Sequence, residues 1–282
     1  MIEPLTRFAI GDALFTEAII NAGAELPQTL VVGLCGSQGS GKSTTALRLR
    51  ERIIATGRQM VVCSLDDFYL TSGDRAALAA DIHPLLATRG VPGTHDVALM
   101  RATLDALSNA GPSSRIPIPV FDKAADDRVE KSGWTVWEGR PDIILIEGWC
   151  VNARPQPAQA LRDPVNLLER DEDSDGVWRT YVNEQLAGPY CDLFETIDLS
   201  LMLAAPDFAC VHGWRAEQEA KLSRSAPRSR SPMSDAELAR FIAHYERITR
   251  WLLETRPADL VALLDRSRVP YAWRSSTTQD LA

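Results

Sequence analysis

Gly36-Ser37-Gln38-Gly39-Ser40-Gly41-Lys42-Ser43 fits the pattern G-x-x-x-x-G-K-[ST] at every position, and the chemistry of phosphate binding dictates that spacing. Glycines let the backbone curl until successive N–H groups face phosphate oxygens, in a conformation that side chains would obstruct. A helix starting directly behind the loop adds its unpaired amides and the positive end of its dipole. In this pattern Lys42 reaches the β- and γ-phosphates and the Ser43 hydroxyl ligates Mg²⁺. The flanks decide against a flexible Gly/Ser linker, which would be polar on both sides. Here Leu30, Val31, Val32 and Leu34 form an apolar run before the loop, and Ala46, Leu49 and Ile53 recur at helical spacing after it. Residues 36–44 (Gly36, Ser37, Gln38, Gly39, Ser40, Gly41, Lys42, Ser43 and Thr44) are therefore expected to hold a nucleotide, with ATP and Mg²⁺ as cofactors.

Asp66 and Asp67 follow a second apolar run, residues 59–64. Two adjacent acids by themselves read as a capped turn. Just past the carboxyl end of a strand beside the phosphate loop, they read as catalytic groups, because ligands bind at that edge of open parallel sheets. One would accept the proton of a hydroxyl attacking the γ-phosphate, and the other would bind Mg²⁺ through water. Glu147 ends another buried run, residues 142–146, in the place of the acid that holds Mg²⁺ or its waters. Arg89, His95, Lys123, Arg128 and Arg215 are candidate contacts to substrate or phosphate, with Arg89 (beside Gly90 and Gly93) and Lys123 the best placed. A basic stretch, residues 221–230, reads either as a lid over ATP or as a solvated loop. His83, His212 and His244 have no metal-ligand spacing.

The elements that must position these groups alternate strand and helix along the chain, which predicts an α/β three-layer fold with a mainly parallel sheet. Residues 1–28 read as a helical preface. Residues 72–95 read as irregular, 96–109 as a helix, and 116–121 as extended because of their prolines. Residues 152–174, rich in proline, arginine and acids, read as an exposed insertion. Helices follow at 177–186 and 214–222, and Ser234 to Glu237 forms a capping box for another. Strands are expected at 199–204 and, as the last one, at 260–264, with frayed residues beyond. The 282 residues leave room for a large core, and net charge −8 argues against nucleic acid or an anionic membrane as the main partner. Five scattered cysteines without a C-x-x-C pair read as buried thiols of a reducing compartment. No run approaches the length of a membrane span, and the start lacks the features of a secretory signal. The expectation is a cytoplasmic protein.

Several segments together resemble the P-loop glycerate kinases of the plant and fungal type. They are GSQGSGKST (36–44), SLDDFYLT (64–71), RGVPGTHD (89–96), PVFDKAADDR (119–128), IEGWCV (146–151), VNEQL (182–186), WRAEQEAKL (214–222) and MSDAELARFIAHYERIT (233–249). They keep the family's order and cover most of residues 30–265. The first, second and fifth are shared with a wider group of uridine, pantothenate and phosphoribulose kinases. The resemblance implies one P-loop kinase domain over residues 1–282, with 215–232 as a candidate lid. It implies transfer of the γ-phosphate of ATP to D-glycerate, giving 3-phosphoglycerate. It places the general base at Asp66, the metal set at Ser43, Asp67 and Glu147, and a lid arginine at Arg215. Substrate contacts fall on Asp66, Tyr69, Arg89, His95, Lys123 and Arg128, facing a small anionic acid, and a monomer is slightly favoured. The alternatives are a pantothenate or nucleoside kinase of the same group, or a non-catalytic ATP-binding protein. A regulatory GTPase would carry an N-K-x-D segment, and the chain has none.

Overall fold

The computed structural model describes residues 4–24, 26, 28–225, 233–275 and 278–281. The first half forms α1 (Pro4–Ala24), β1 (Leu30–Gly36), α2 (Lys42–Ile54), β2 (Met60–Ser64), α3 (Ser72–Asp81), α4 (Val97–Ser108), β3 (Arg115–Ile118), β4 (Phe121–Asp122), β5 (Asp127–Arg128), β6 (Thr135–Glu138) and β7 (Ile143–Gly148). The second half adds α5 (Leu167–Glu172), α6 (Val177–Ala187), α7 (Pro189–Phe194), β8 (Leu199–Ala204), α8 (Phe208–Ser225), α9 (Asp235–Thr255), β9 (Leu260–Leu264), β10 (Pro270–Ser275) and β11 (Thr278–Leu281).

Every residue of β1 is buried, as expected of a parallel strand covered on both faces. Its alternating side chains feed two cores. Leu30, Val32 and Leu34 pack with Phe15 and Ile19 of α1 and with Ala46, Leu49 and Ile53 of α2. Val31 and Cys35 join Met100 and Leu104 of α4 and Ile248 and Leu252 of α9 on the other side. The result is the expected three-layer α/β fold. Seven strands run in the order β11-β10-β9-β8-β1-β7-β2; β9, β8, β1, β7 and β2 are parallel. β1 lies between β7 and β8, so the chain switches direction across the sheet there and leaves a crevice at its carboxyl end. Among the described residues no helix is long and apolar enough to cross a membrane.

Two local expectations are corrected, and a third is refined. Residues 72–81 are helical, capped by the Thr71 side chain accepting from the Asp74 amide; alanines, a glycine and charges gave that helix no apolar stripe to read. Residues 115–122 are extended, as their prolines dictate, but they pair in two small ribbons, β3 with β6 and β4 with β5, away from the main sheet. β9 is not the last strand, because β10 and β11 pair antiparallel at its edge. Their partner arrives through space, so their own composition carries little of the signal. Of the candidate lid, residues 226–232 lie outside the described residues; residues up to Ser225 continue α8.

Residues 152–174 are exposed along most of their length, yet two of their acids are not. The Arg247 guanidinium of α9 donates to both oxygens of Glu169, at 2.8 and 2.6 Å, and also to the carbonyls of Ala160 and Asp163. Asp173 pairs likewise with Arg179 at 2.8 Å. Both members of each pair are almost fully buried. Glu169→Ala strands a buried guanidinium, so a loss of about 3–5 kcal/mol in unfolding free energy is expected by denaturant titration. A loss below about 1 kcal/mol would place the pair with solvent-relaxed surface bridges instead.

Candidate active site

The loop between β1 and α2 turns as its glycines allow. Gly39 and Gly41 take φ values of 73° and 91°, the left-handed region that favours glycine. At Gly39 a Cβ would also sit 2.7 Å from the Cβ of Trp214. α2 then begins at Lys42 with Gly41 as its cap and no side chain on its free amides, the anion-binding end of a helix.

Sheet register builds the next part. β2 and β7 pair Ser64 with Glu147, and β1 and β7 pair Leu34 with Glu147. The hydroxyls of Ser43 and Ser64 both donate to Glu147 Oε1, at 2.9 and 3.0 Å. Glu147 is 5% exposed, and its Oε2 is buried with no hydrogen-bond partner among the described residues. A buried carboxylate oxygen left unpaired beside a loop hydroxyl is costly by itself, and fits a site for a hard cation with oxygen ligands. Asp67 lines a groove with Ser43, Ser64 and Glu147. Burial pushes its carboxyl above the usual range, against the Phe121 amide it accepts from at 3.2 Å.

Asp66 stands one residue earlier, in a cleft with Lys42, Ser43, Tyr69, Arg89, Lys123, Glu147 and Arg215. The Tyr69 hydroxyl donates to its Oδ1 at 2.8 Å and the Lys123 ammonium to its Oδ2 at 2.5 Å. Burial alone would raise its pKa, but the charges of Lys123 and Lys42 outweigh it and hold the carboxyl well below the usual range. Arg89 ion-pairs with Asp126 and lies over the Phe121 ring. Asp126, at φ 56°, is shared with Arg75 at 2.7 Å. Arg215 lies over the Phe241 ring.

Two expected contacts stand behind the cleft and do not line it. The His95 ring stacks on Tyr69 with centroids 4.6 Å apart, and its Nδ1 meets the Tyr190 hydroxyl at 2.6 Å. Burial pushes its pKa down to about 4, so it packs as a neutral ring. Arg128 donates to the Tyr69 carbonyl at 2.8 Å and to Asp96 at 3.1 Å. Both residues set the position of Tyr69. Sequence reasoning passed over Ser64, although its place at a strand end mirrors that of Ser43. It also passed over the clamp on the Arg89 loop, in which the Trp149 indole donates to Gly90 O at 2.8 Å and the Tyr245 hydroxyl to Arg89 O at 3.0 Å. Nothing local announced those contacts.

No protein-family model matches the chain. It is similar to the uncharacterized kinase mug58 of Schizosaccharomyces pombe, 32% identical over 256 residues, covering 85% of this chain and 89% of that one. It is 30% identical over 254 residues to the chloroplastic D-glycerate 3-kinase of Arabidopsis thaliana. That match covers 88% of this chain but 52% of the plant protein, so the chain spans about half its length. In fold it is similar to the D-glycerate 3-kinase structure from Cryptococcus neoformans var. grubii, with a TM-score of 0.78 at 23% identity, covering 94% and 98% of the two chains.

Gly90 offers a test of the clamp on the Arg89 loop. At φ 137°, a Cβ there would lie 2.0 Å from the Tyr245 hydroxyl oxygen. Gly57 also has a left-handed φ, 85°, but a Cβ there would meet nothing within 4 Å. Gly57→Ala should therefore report backbone strain alone, about 1 kcal/mol, and Gly90→Ala at least about 2 kcal/mol more by thermal or chemical unfolding. Equal losses would show that the Tyr245 contact does not constrain the loop.

Proposed function

The chain belongs to the family of P-loop kinases that contains the plant D-glycerate 3-kinase and mug58, and from that premise we propose that it phosphorylates D-glycerate with ATP. The observation that carries the reading is the cleft itself. It brings Asp66 together with Lys42 and Ser43 of the phosphate loop and with the cations Arg89 and Lys123. The cleft has a volume of about 160 Å³, against a lower bound of about 300 Å³ for pockets that take drug-sized ligands. A three-carbon acid suits that volume better than pantothenate. The second reading, a nucleoside acceptor, draws on the aromatic rings of Tyr69, Trp149 and Phe241 in the lining. Phe68 and Phe121, although close by in sequence, are buried and do not line the cleft.

In this mechanism the loop amides and Lys42 hold the β- and γ-phosphates, and α2 directs its dipole at them. Ser43 and Glu147, with Asp67 nearby, would hold Mg²⁺; bound there it would neutralise charge on the phosphates. The acceptor hydroxyl gives its proton to Asp66 as its oxygen bonds to the γ-phosphorus. The bond from that phosphorus to the β,γ-bridging oxygen breaks, and ADP leaves with the electron pair. Lys123 and Lys42 keep Asp66 ionised before substrate binds, ready to orient the hydroxyl, as suits a loose phosphoryl-transfer transition state. A substrate carboxylate competes with Asp66 for Lys123 and with Asp126 for Arg89. Binding an anionic acid thus frees the Asp66 oxygen that Lys123 engages.

ADP release from Mg-ATP against D-glycerate, L-glycerate, pantothenate and uridine tests the substrate. Selective turnover with D-glycerate is expected, and selective turnover with another panel member would replace it. Asp66→Asn should retain ATP binding by calorimetry while turnover falls about 10²-fold or more. Near-normal turnover in that variant would remove Asp66 from the role of base.

A further inference from the structure

Arg268 is remote from the phosphate loop in sequence and sits at φ 68°, where bulky residues are uncommon. A turn built by Asp265 enforces that conformation. Asp265 Oδ1 accepts from the amides of Ser267 and Val269, at 2.8 and 2.9 Å, and the Arg268 amide donates to the Asp265 carbonyl at 2.9 Å. An over-determined, unfavourable backbone is a reason to ask what its side chain does.

The guanidinium has three engagements. Its Nε donates to Gly39 O at 2.7 Å, its Nη2 donates to Glu217 of α8 at 2.7 Å, and it lies over the Trp214 ring, 5.1 Å from the centroid. The Trp214 indole is itself anchored on Arg266 O at 2.9 Å. Gly39 is the third residue of a turn closed by the Ser40 amide on Ser37 O at 3.2 Å, and its positive φ fits type II geometry. The peptide from Gly39 to Ser40 is thus fixed at both ends, its carbonyl held by Arg268 and its amide by Ser37 O. On this side of the loop a groove opens along Gly41, Thr44, Trp214, Gln218 and Arg268. Neither Asp66, Arg89 nor Lys123 reaches it.

We propose that Arg268 is a positioning residue for the nucleoside triphosphate: through Gly39 it holds the phosphate cradle in its binding conformation, and it joins that cradle to α8. Arg268 acts on the nucleotide and not on the acceptor. The arrangement suits arginine in particular, because a planar guanidinium can serve two acceptors and stack on an indole at once, whereas an ammonium is a single point charge.

Arg268→Ala and Arg268→Lys in the full chain test this, through binding of a non-hydrolysable Mg-ATP analogue by calorimetry and through separate KM values for Mg-ATP and acceptor. Loss of a charge-assisted contact should weaken nucleotide binding and raise the Mg-ATP KM about tenfold or more in Arg268→Ala, with part recovered in Arg268→Lys. The KM of the acceptor should stay within about twofold, and the rise in unfolding temperature on adding Mg-ATP should shrink in both variants. The binding readout needs no acceptor, so it is independent of whether D-glycerate is the substrate. If Arg268→Ala does not fold, Arg268→Lys carries the test. Analogue affinity within about twofold of wild type in the folded variants, or an equal rise in both KM values, would overturn the proposal.

Discussion

Glu147 brings a carboxylate to a place almost without water, and much of the cleft is arranged around that fact. Its strand is apolar and buried on both faces, so the charge has no solvent to fall back on. Two hydroxyls, one from the phosphate loop and one from the neighbouring strand, converge on a single oxygen and leave the other bare. An oxygen left bare in this way fits a site that a cation completes. The register that pairs Ser64 and Leu34 with Glu147 fixes the distance between the loop, the acids after β2 and the end of β7. A one-residue slip would turn the carboxylate into a core face.

Charge compensation extends from there across the cleft. Each of two cations lining it already faces an acid of the chain: Lys123 faces Asp66, and Arg89 faces Asp126. A net acidic protein can therefore present a locally cationic pocket without repelling itself. On the proposed reading an anionic ligand would enter by exchange of partners, which would favour ligands carrying charge where these acids now stand. Asp126 keeps its place because buried Arg75 holds both its carboxylate and its carbonyl.

Much of this was legible in the sequence, for a physical reason. The phosphate loop, the acids after β2 and the glutamate ending β7 are local in the chain, and a short pattern of glycines, apolar runs and charges describes each of them. The capping box at Ser234 was equally plain, and the structure has both of its hydrogen bonds. What escaped depends on contacts between distant residues. α3 has no apolar stripe, β10 is a strand because β9 offers it an edge, and Tyr245 matters only because Gly90 has no side chain to keep it away. His95 and Arg128 look like ligand contacts by type and position, but packing turns them toward Tyr69. Arg268 gave no sign, since only the fold brings it to Gly39.

The central strand has a temporal aspect as well. β1 precedes both of its neighbours, residues 143–148 and 199–204, by a long stretch of chain. No hairpin can stabilise it early, and closing such long loops is slow. During synthesis β1 emerges before both of its partner strands and waits as an unpaired apolar segment until they have followed. Helices α1 and α2, joined by the Arg48 to Asp12 ion pair at 2.6 Å and packed on one face of that strand, are the structure best placed to shield it in the interval.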